Sequence, residues 1–220
     1  MSDIQHRDGR WHGSGRRSTT LRSPFVVAIG AALGLGATCA RSPEDQVCPD
    51  LAVGDLVVTE IRGPQSSPNS LPQWIELANL SGDPIDLEGL HIELLRPDGS
   101  GALDLIVRYK RTVAAADYYV LGLVADDTPG VGVDYGLADE YSGNLYEDAL
   151  LSIVACGEVI DAVIYENLPK AGTYSLGLVP PDAEGNDVEA AWCVDATPVE
   201  GPMTALGIPG TPGEANRPCG

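Results

Sequence analysis

Short runs in which apolar and polar residues alternate, each closed by a turn bearing glycine or proline, constrain this chain more than any other feature. Leu90-His-Ile-Glu-Leu94 is the cleanest of them: Leu90, Ile92 and Leu94 share one face, His91 and Glu93 the other. That is the period of a half-buried strand. Leu103 to Lys110 alternates again, with Leu103, Leu105, Val107 and Tyr109 expected inward. Between the two, Arg96-Pro-Asp-Gly99 carries the Asp-Gly pair that favours a hairpin turn. Leu56 to Ile61, Trp74 to Leu77, Tyr118 to Leu121, Leu150 to Val154 and Val159 to Tyr165 bring the set to about seven strands. Cys156-Gly157-Glu158 forms a tight connection between the last two. No 3.6-residue apolar stripe with helix caps occurs, and 17 prolines with 26 glycines suit many short strands joined by turns. The expectation is an all-β, antiparallel sandwich or barrel.

This strand-bearing part runs from residue 51 to residue 220. Between residues 125 and 148 it carries an acidic, glycine-containing insert (Asp126, Asp127, Asp134, Asp139, Glu140, Glu147, Asp148) that reads as a long loop. Residues 1–38 read differently. An Arg-rich stretch precedes the apolar run Phe25 to Thr38, about 14 residues long, which suits a signal peptide and falls short of the roughly 20 needed to span a bilayer. Leu35-Gly36-Ala37-Thr38-Cys39 is similar to a bacterial lipobox, so Cys39 is the expected lipidation site and new N-terminus. Thr38 departs from the small residues usual before that cysteine. Several acyl chains anchor stably where one is marginal. Residues 39–50 then form a polar tether.

Charge and cysteine usage agree with export. From Cys39 onward eight basic residues stand against thirty acidic ones, a net of -22, which repels a nucleic-acid backbone and favours cations or a basic partner. Setting Cys39 aside leaves Cys48, Cys156, Cys193 and Cys219, an even set that reads as a disulfide framework with three connectivities. We expect Cys156 with Cys193, linking a strand end to the segment after Trp192, and Cys48 with Cys219, tying the two ends of the domain. No C-x-x-C spacing suggests a metal site instead.

Five motifs in order resemble the lamin-tail domain family: Val57-Val-Thr-Glu60-Ile61, Trp74-Ile-Glu76-Leu-Ala-Asn79, Asp86-Leu-Glu-Gly89-Leu-His-Ile92, Val159-Ile-Asp161-Ala-Val-Ile-Tyr165 and Thr211-Pro-Gly213-Glu-Ala-Asn216. They cover nearly all of the exported chain; the acidic insert and the extra cysteines depart from the pattern. The resemblance implies an immunoglobulin-like β-sandwich and an interaction module. Read as residues, Trp74 is expected in the inter-sheet core, Asn79 and Asp86 in a turn, and Gly89 at a bulge or a positive φ.

Catalytic sets are scarce. Of three histidines, His6 and His12 lie in the leader, leaving His91 on the polar face of a strand; a Ser-His-Asp or Cys-His apparatus would have to be built on it. Paired carboxylates abound, so acid–base hydrolysis stays open as the rival reading. No phosphate-binding glycine loop occurs in strand–helix context. Calcium is the one ligand the acids suggest, through Asp182-Ala-Glu184-Gly-Asn186-Asp187 or the insert. The sequence thus leads to a non-catalytic cell-envelope or secreted binding module, held to a membrane by a lipid and contacting an unidentified protein or surface, with an exported carboxylate- or calcium-dependent hydrolase as the alternative.

Overall fold

Alternation along the strands produces two sheets that close on one apolar core. The computed structural model describes residues 47–66, 72–127, 132–197 and 209–220, so the leader and Cys39 lie outside the described residues. Twelve strands appear in these ranges: β1 Leu56–Arg62, β2 Trp74–Asn79, β3 Ile85–Asp86, β4 His91–Leu95, β5 Leu103–Ile106, β6 Thr112–Val113, β7 Tyr118–Gly122, β8 Tyr135–Gly136, β9 Ala149–Ala155, β10 Glu158–Tyr165, β11 Thr173–Leu176 and β12 Trp192–Asp195. A six-stranded sheet has the order β12-β11-β1-β2-β7-β8 and a four-stranded sheet the order β10-β9-β4-β5, while β3 and β6 pair apart. Neighbours are antiparallel except β7 and β8. The chain is an all-β sandwich.

Val58, Ile61, Ile75, Leu77 and Leu121 from the first sheet meet Ile92, Leu94, Leu105, Leu151 and Val163 from the second in a single buried cluster. The seven expected strands are all present, and Leu90, Ile92 and Leu94 are buried as their spacing predicts. Cys156 (φ 51°) and Gly157 (φ 82°) are both left-handed in the β9–β10 turn, which matches the twist that a two-residue hairpin requires.

Four expectations are corrected. β5 ends at Ile106, so Tyr109 does not point inward and is 56% exposed. The backbone leaves the ladder there because Val107 is drawn into a reciprocal pairing with the β3–β4 turn, donating to Leu90 O and accepting from Gly89 N. Trp74 is buried, but with Val120 and Val133 on the outer face of the six-stranded sheet and not between the sheets. Ile75 and Leu77 take the inward positions of β2, and the period of two then sends Trp74 and Glu76 outward. The acidic insert is not simply a loop: it contributes β8 to the sheet edge and Leu137 and Leu145 to the core.

The disulfides join Cys48 to Cys156 and Cys193 to Cys219, with Cα–Cα distances of 5.5 and 5.8 Å. The expected Cys156–Cys193 and Cys48–Cys219 links fail because Cys156 sits at the β9–β10 turn of one sheet and Cys193 within β12 of the other. The N-terminal arm instead passes the β9–β10 turn, close against Gly89, where a side chain would collide with the Val47 carbonyl. The C-terminal segment crosses β11 and β12 and delivers Cys219 to Cys193. Gly89 (φ 85°) therefore has both the positive φ expected of it and a close backbone approach. Asn79 and Asp86 fasten turns as their positions predict. The Asn79 amide donates to the carbonyls of Asp83, Val113 and Ala114 and accepts from Ser81, and Asp86 accepts from the Glu88 and Arg111 main chain.

Candidate functional site

A dense polar cluster lies on the outer face of the six-stranded sheet. A register shift in β1 between Val58 and Glu60 turns Thr59 and Glu60 outward together, opposite Glu76 of β2. Bulges re-aim side chains in this way. Glu60 and Glu76 are both wholly buried. Glu60 Oε1 accepts from Ser175 Oγ (2.7 Å), Thr173 Oγ1 (3.0 Å) and Thr211 N (3.1 Å), and its Oε2 from Trp74 Nε1 (3.0 Å). Glu76 Oε1 lies 2.7 Å from the Thr59 hydroxyl and its Oε2 accepts from Gly213 N at 2.7 Å.

The cover over this face is the C-terminal segment. Thr211 Oγ1 donates to Asn216 Oδ1, Asn216 Nδ2 donates to Thr59 O, and Arg217 pairs with Asp195, each at 2.6 or 2.7 Å. The Thr-Pro-Gly-x-x-Asn motif is thus a strap whose main-chain N–H groups and Asn216 reach two carboxylates and a strand carbonyl. Burial pushes the Glu60 carboxyl above the usual carboxylate range, against the pull of its donors. Glu76 is pushed up further, by burial first and then by the charge of Glu60. Neighbouring carboxylates in a dry site resist ionising together. Glu60 draws four donors, which favour its charged form, while Glu76 accepts from the Thr59 hydroxyl and from Gly213 N. Arg62, also buried, lies with its guanidinium 5.0 Å from the centre of the Trp74 ring.

A second feature is a concavity of about 870 Å³ at the end of the sandwich away from the β9–β10 turn. Pro64, the β4–β5 turn at Arg96 to Asp98, and the end of the acidic insert from Tyr141 to Asp148 line it, with Glu166. The insert is held in place: Gln73 donates to Asn144 Oδ1 and accepts from Leu145 N, Tyr146 Oη donates to Gly101 O, and Arg96 stacks 4.2 Å from the Tyr146 ring centre. Glu147 pairs with Lys170, and Asp148 accepts from Asn167 N.

The other candidates are dispersed. His91 Nδ1 is 2.8 Å from Asp104 Oδ1 on the outward face of the four-stranded sheet. The run from Asp182 to Asp187 folds on itself, with Asn186 N donating to Asp182 O, and the Asn186 side chain turns inward to Asp161 at 2.8 Å. Among the described residues, no three His, Cys, Asp or Glu side chains converge where they could hold a metal ion, and no helix is long and apolar enough to cross a membrane. Glu60 and Glu76 escaped the reading of the sequence as ionisable partners. The signal was present: each is the lone acid of its strand, set within the short runs Val-Thr-Glu-Ile and Trp-Ile-Glu-Leu.

No protein-family model matches the chain, and no curated protein matches its sequence.

Proposed function

We propose that the chain is a non-catalytic module of the lamin-tail kind, an immunoglobulin-like sandwich exported by its leader and anchored through Cys39, or secreted, that binds a protein or surface partner. The observation that carries this reading is how the perturbed carboxylates are used. Glu60 and Glu76, the acids that burial raises hardest within the sheet, face a strap and a strand and hold both in place. They serve the fold and do not line the open concavity.

Two further features support it. Paired disulfides suit an oxidising compartment. The Cys48–Cys156 bond also ties the tether to the β9–β10 turn. Eight residues separate Cys39 from Cys48, a reach of about 30 Å at most. A lipid on Cys39 would hold the Cys48 end within that reach of the bilayer.

Metabolic labelling with a palmitate analogue is expected to mark the wild-type chain and not Cys39→Ser; equal labelling of the two refutes the anchor. A hydrolase screen with and without calcium is the complementary test. Robust turnover, abolished by changing one carboxylate pair, would replace the binding module with the carboxylate- or calcium-dependent hydrolase.

A further inference from the structure

The outer face of the four-stranded sheet has no strap among the described residues, and it carries an apolar row where β4 and β10 end and β9 begins. Leu95 of β4, Leu150 of β9 and Ile164 of β10 are cross-strand partners in one outward row, and Ile164 is 71% exposed. Two hollows open on either side of Leu150. One, of about 360 Å³, lies over Leu95 and Leu103 and is bordered by Glu93 and Asp104. The other, of about 390 Å³, lies where Ala162 and Ile164 meet the stacked pair Tyr174–Trp192, whose rings are 4.9 Å apart. Glu166, Asp187 and Glu189 border that second hollow.

Charge separates the possible occupants. Five carboxylates rim the two hollows, and among the described residues no Lys or Arg lines either. Asn186 lines the second hollow as well, with its amide turned inward to Asp161. The need at this face is therefore for positive charge beside apolar side chains. A second copy of the chain would bring the same acidic rims and a net charge of -22 from Cys39 onward, and nucleic acid is repelled by the same charge.

We infer that a basic, amphipathic segment of a partner protein docks across this face. Its apolar side chains enter the two hollows beside Leu150, and its Lys or Arg side chains lie over the rims. This rests on the reading of the chain as a binding module and names the chemistry of the partner. Apolar floors with charged rims are the usual anatomy of a protein interface, and complementary charge sets its specificity and on-rate.

The test titrates the full-length chain with a short fluorescein-labelled peptide of alternating leucine and lysine. Peptides with lysine replaced by glutamate, and with leucine replaced by serine, serve as controls. The leucine–lysine peptide is expected to bind saturably at one per chain and to change the fluorescence of Trp192, a change that Trp192→Phe removes. Ile164→Ser and Asp187→Lys are each expected to weaken binding about tenfold, the effect of losing one buried aliphatic contact or one rim charge. Asp139→Lys, the same charge change in the exposed part of the insert, is expected to leave affinity within about twofold. Failure to saturate, equal binding of the lysine–serine peptide, or equal weakening by Asp139→Lys and Asp187→Lys would each overturn the docking site. Self-association of the chain blocked by Ile164→Ser would overturn it in favour of a second copy. Palmitate labelling reads the anchor separately, so loss of the docking site with labelling intact removes this inference alone.

Discussion

The two sheets of this sandwich share one core yet treat their outer faces in opposite ways. Outside the six-stranded sheet, Thr59, Glu60, Glu76, Thr173 and Ser175 form a polar layer that is fully buried because a strap lies on it and supplies donors. Outside the four-stranded sheet, Leu95, Leu150 and Ile164 form an apolar row with Ile164 largely bare. The usual expectation is the reverse, with apolar residues covered and polar ones wet. A polar layer is tolerable when buried only if its groups are paired, and the strap supplies that pairing through Thr211 N, Gly213 N and Asn216. An apolar row left open finds no such compensation among the described residues.

Removing the two disulfides one at a time gives the largest expected effects. In the loop-entropy account, losing Cys48–Cys156, which spans 108 residues, costs about 5 kcal/mol, and losing Cys193–Cys219, which spans 26, about 3.5 kcal/mol. Double serine variants followed by denaturant melts test the order. A larger loss for Cys193→Ser/Cys219→Ser would mean that the strap contributes more than its loop closure. Next comes Glu60→Ala, which strands four buried donors and is expected to cost about 3 kcal/mol. Were the loss below about 1 kcal/mol, the polar layer would not depend on Glu60 as its hub.

The covered face also sets a pH dependence. Glu60 and Glu76 are raised in the fold, and so is Asp161, chiefly by burial. A carboxyl whose folded value is raised contributes stability that is fully present below its unfolded value, about 4.3 for Glu and about 3.9 for Asp. That contribution is lost as pH rises through the folded value. Denaturant midpoints are therefore expected to fall from mildly acidic toward alkaline pH. Glu76→Gln should flatten that fall, because its amide can donate to the Thr59 hydroxyl, accept from Gly213 N and cannot ionise. An unchanged slope in Glu76→Gln would show that the pH dependence does not arise from Glu76. The smallest effect belongs to the bare face: Ile164→Ser is expected to change stability by under about 0.5 kcal/mol, since an exposed side chain loses little on truncation. A loss several times larger would mean that Ile164 is covered in the free protein.

Legibility in the sequence followed the range of the interaction. The inward positions Leu90, Ile92 and Leu94, the Cys156-Gly157 turn and the turn roles of Asn79 and Asp86 depend on neighbours a few residues away, and each was readable. Trp74 was misread because its side of the sheet is decided by which of β2's two faces meets the other sheet, and alternation alone leaves that choice open. The insert hid β8 for a similar reason: a two-residue strand has no periodicity to detect, and only its pairing with β7 makes it one. The acids of the polar layer were visible as residues but not as a cluster, since Glu60, Glu76 and Thr211 lie far apart along the chain.

The sequence by itself determined the all-β class and the places of the main strands, because a period of two and a turn residue are local physics. Only the tertiary structure decided which cysteines pair, which face is strapped and which is bare. Those outcomes depend on the β1 bulge, the course of the two chain ends and the stacking of two sheets, and contacts between distant segments leave no periodic trace in the chain that makes them.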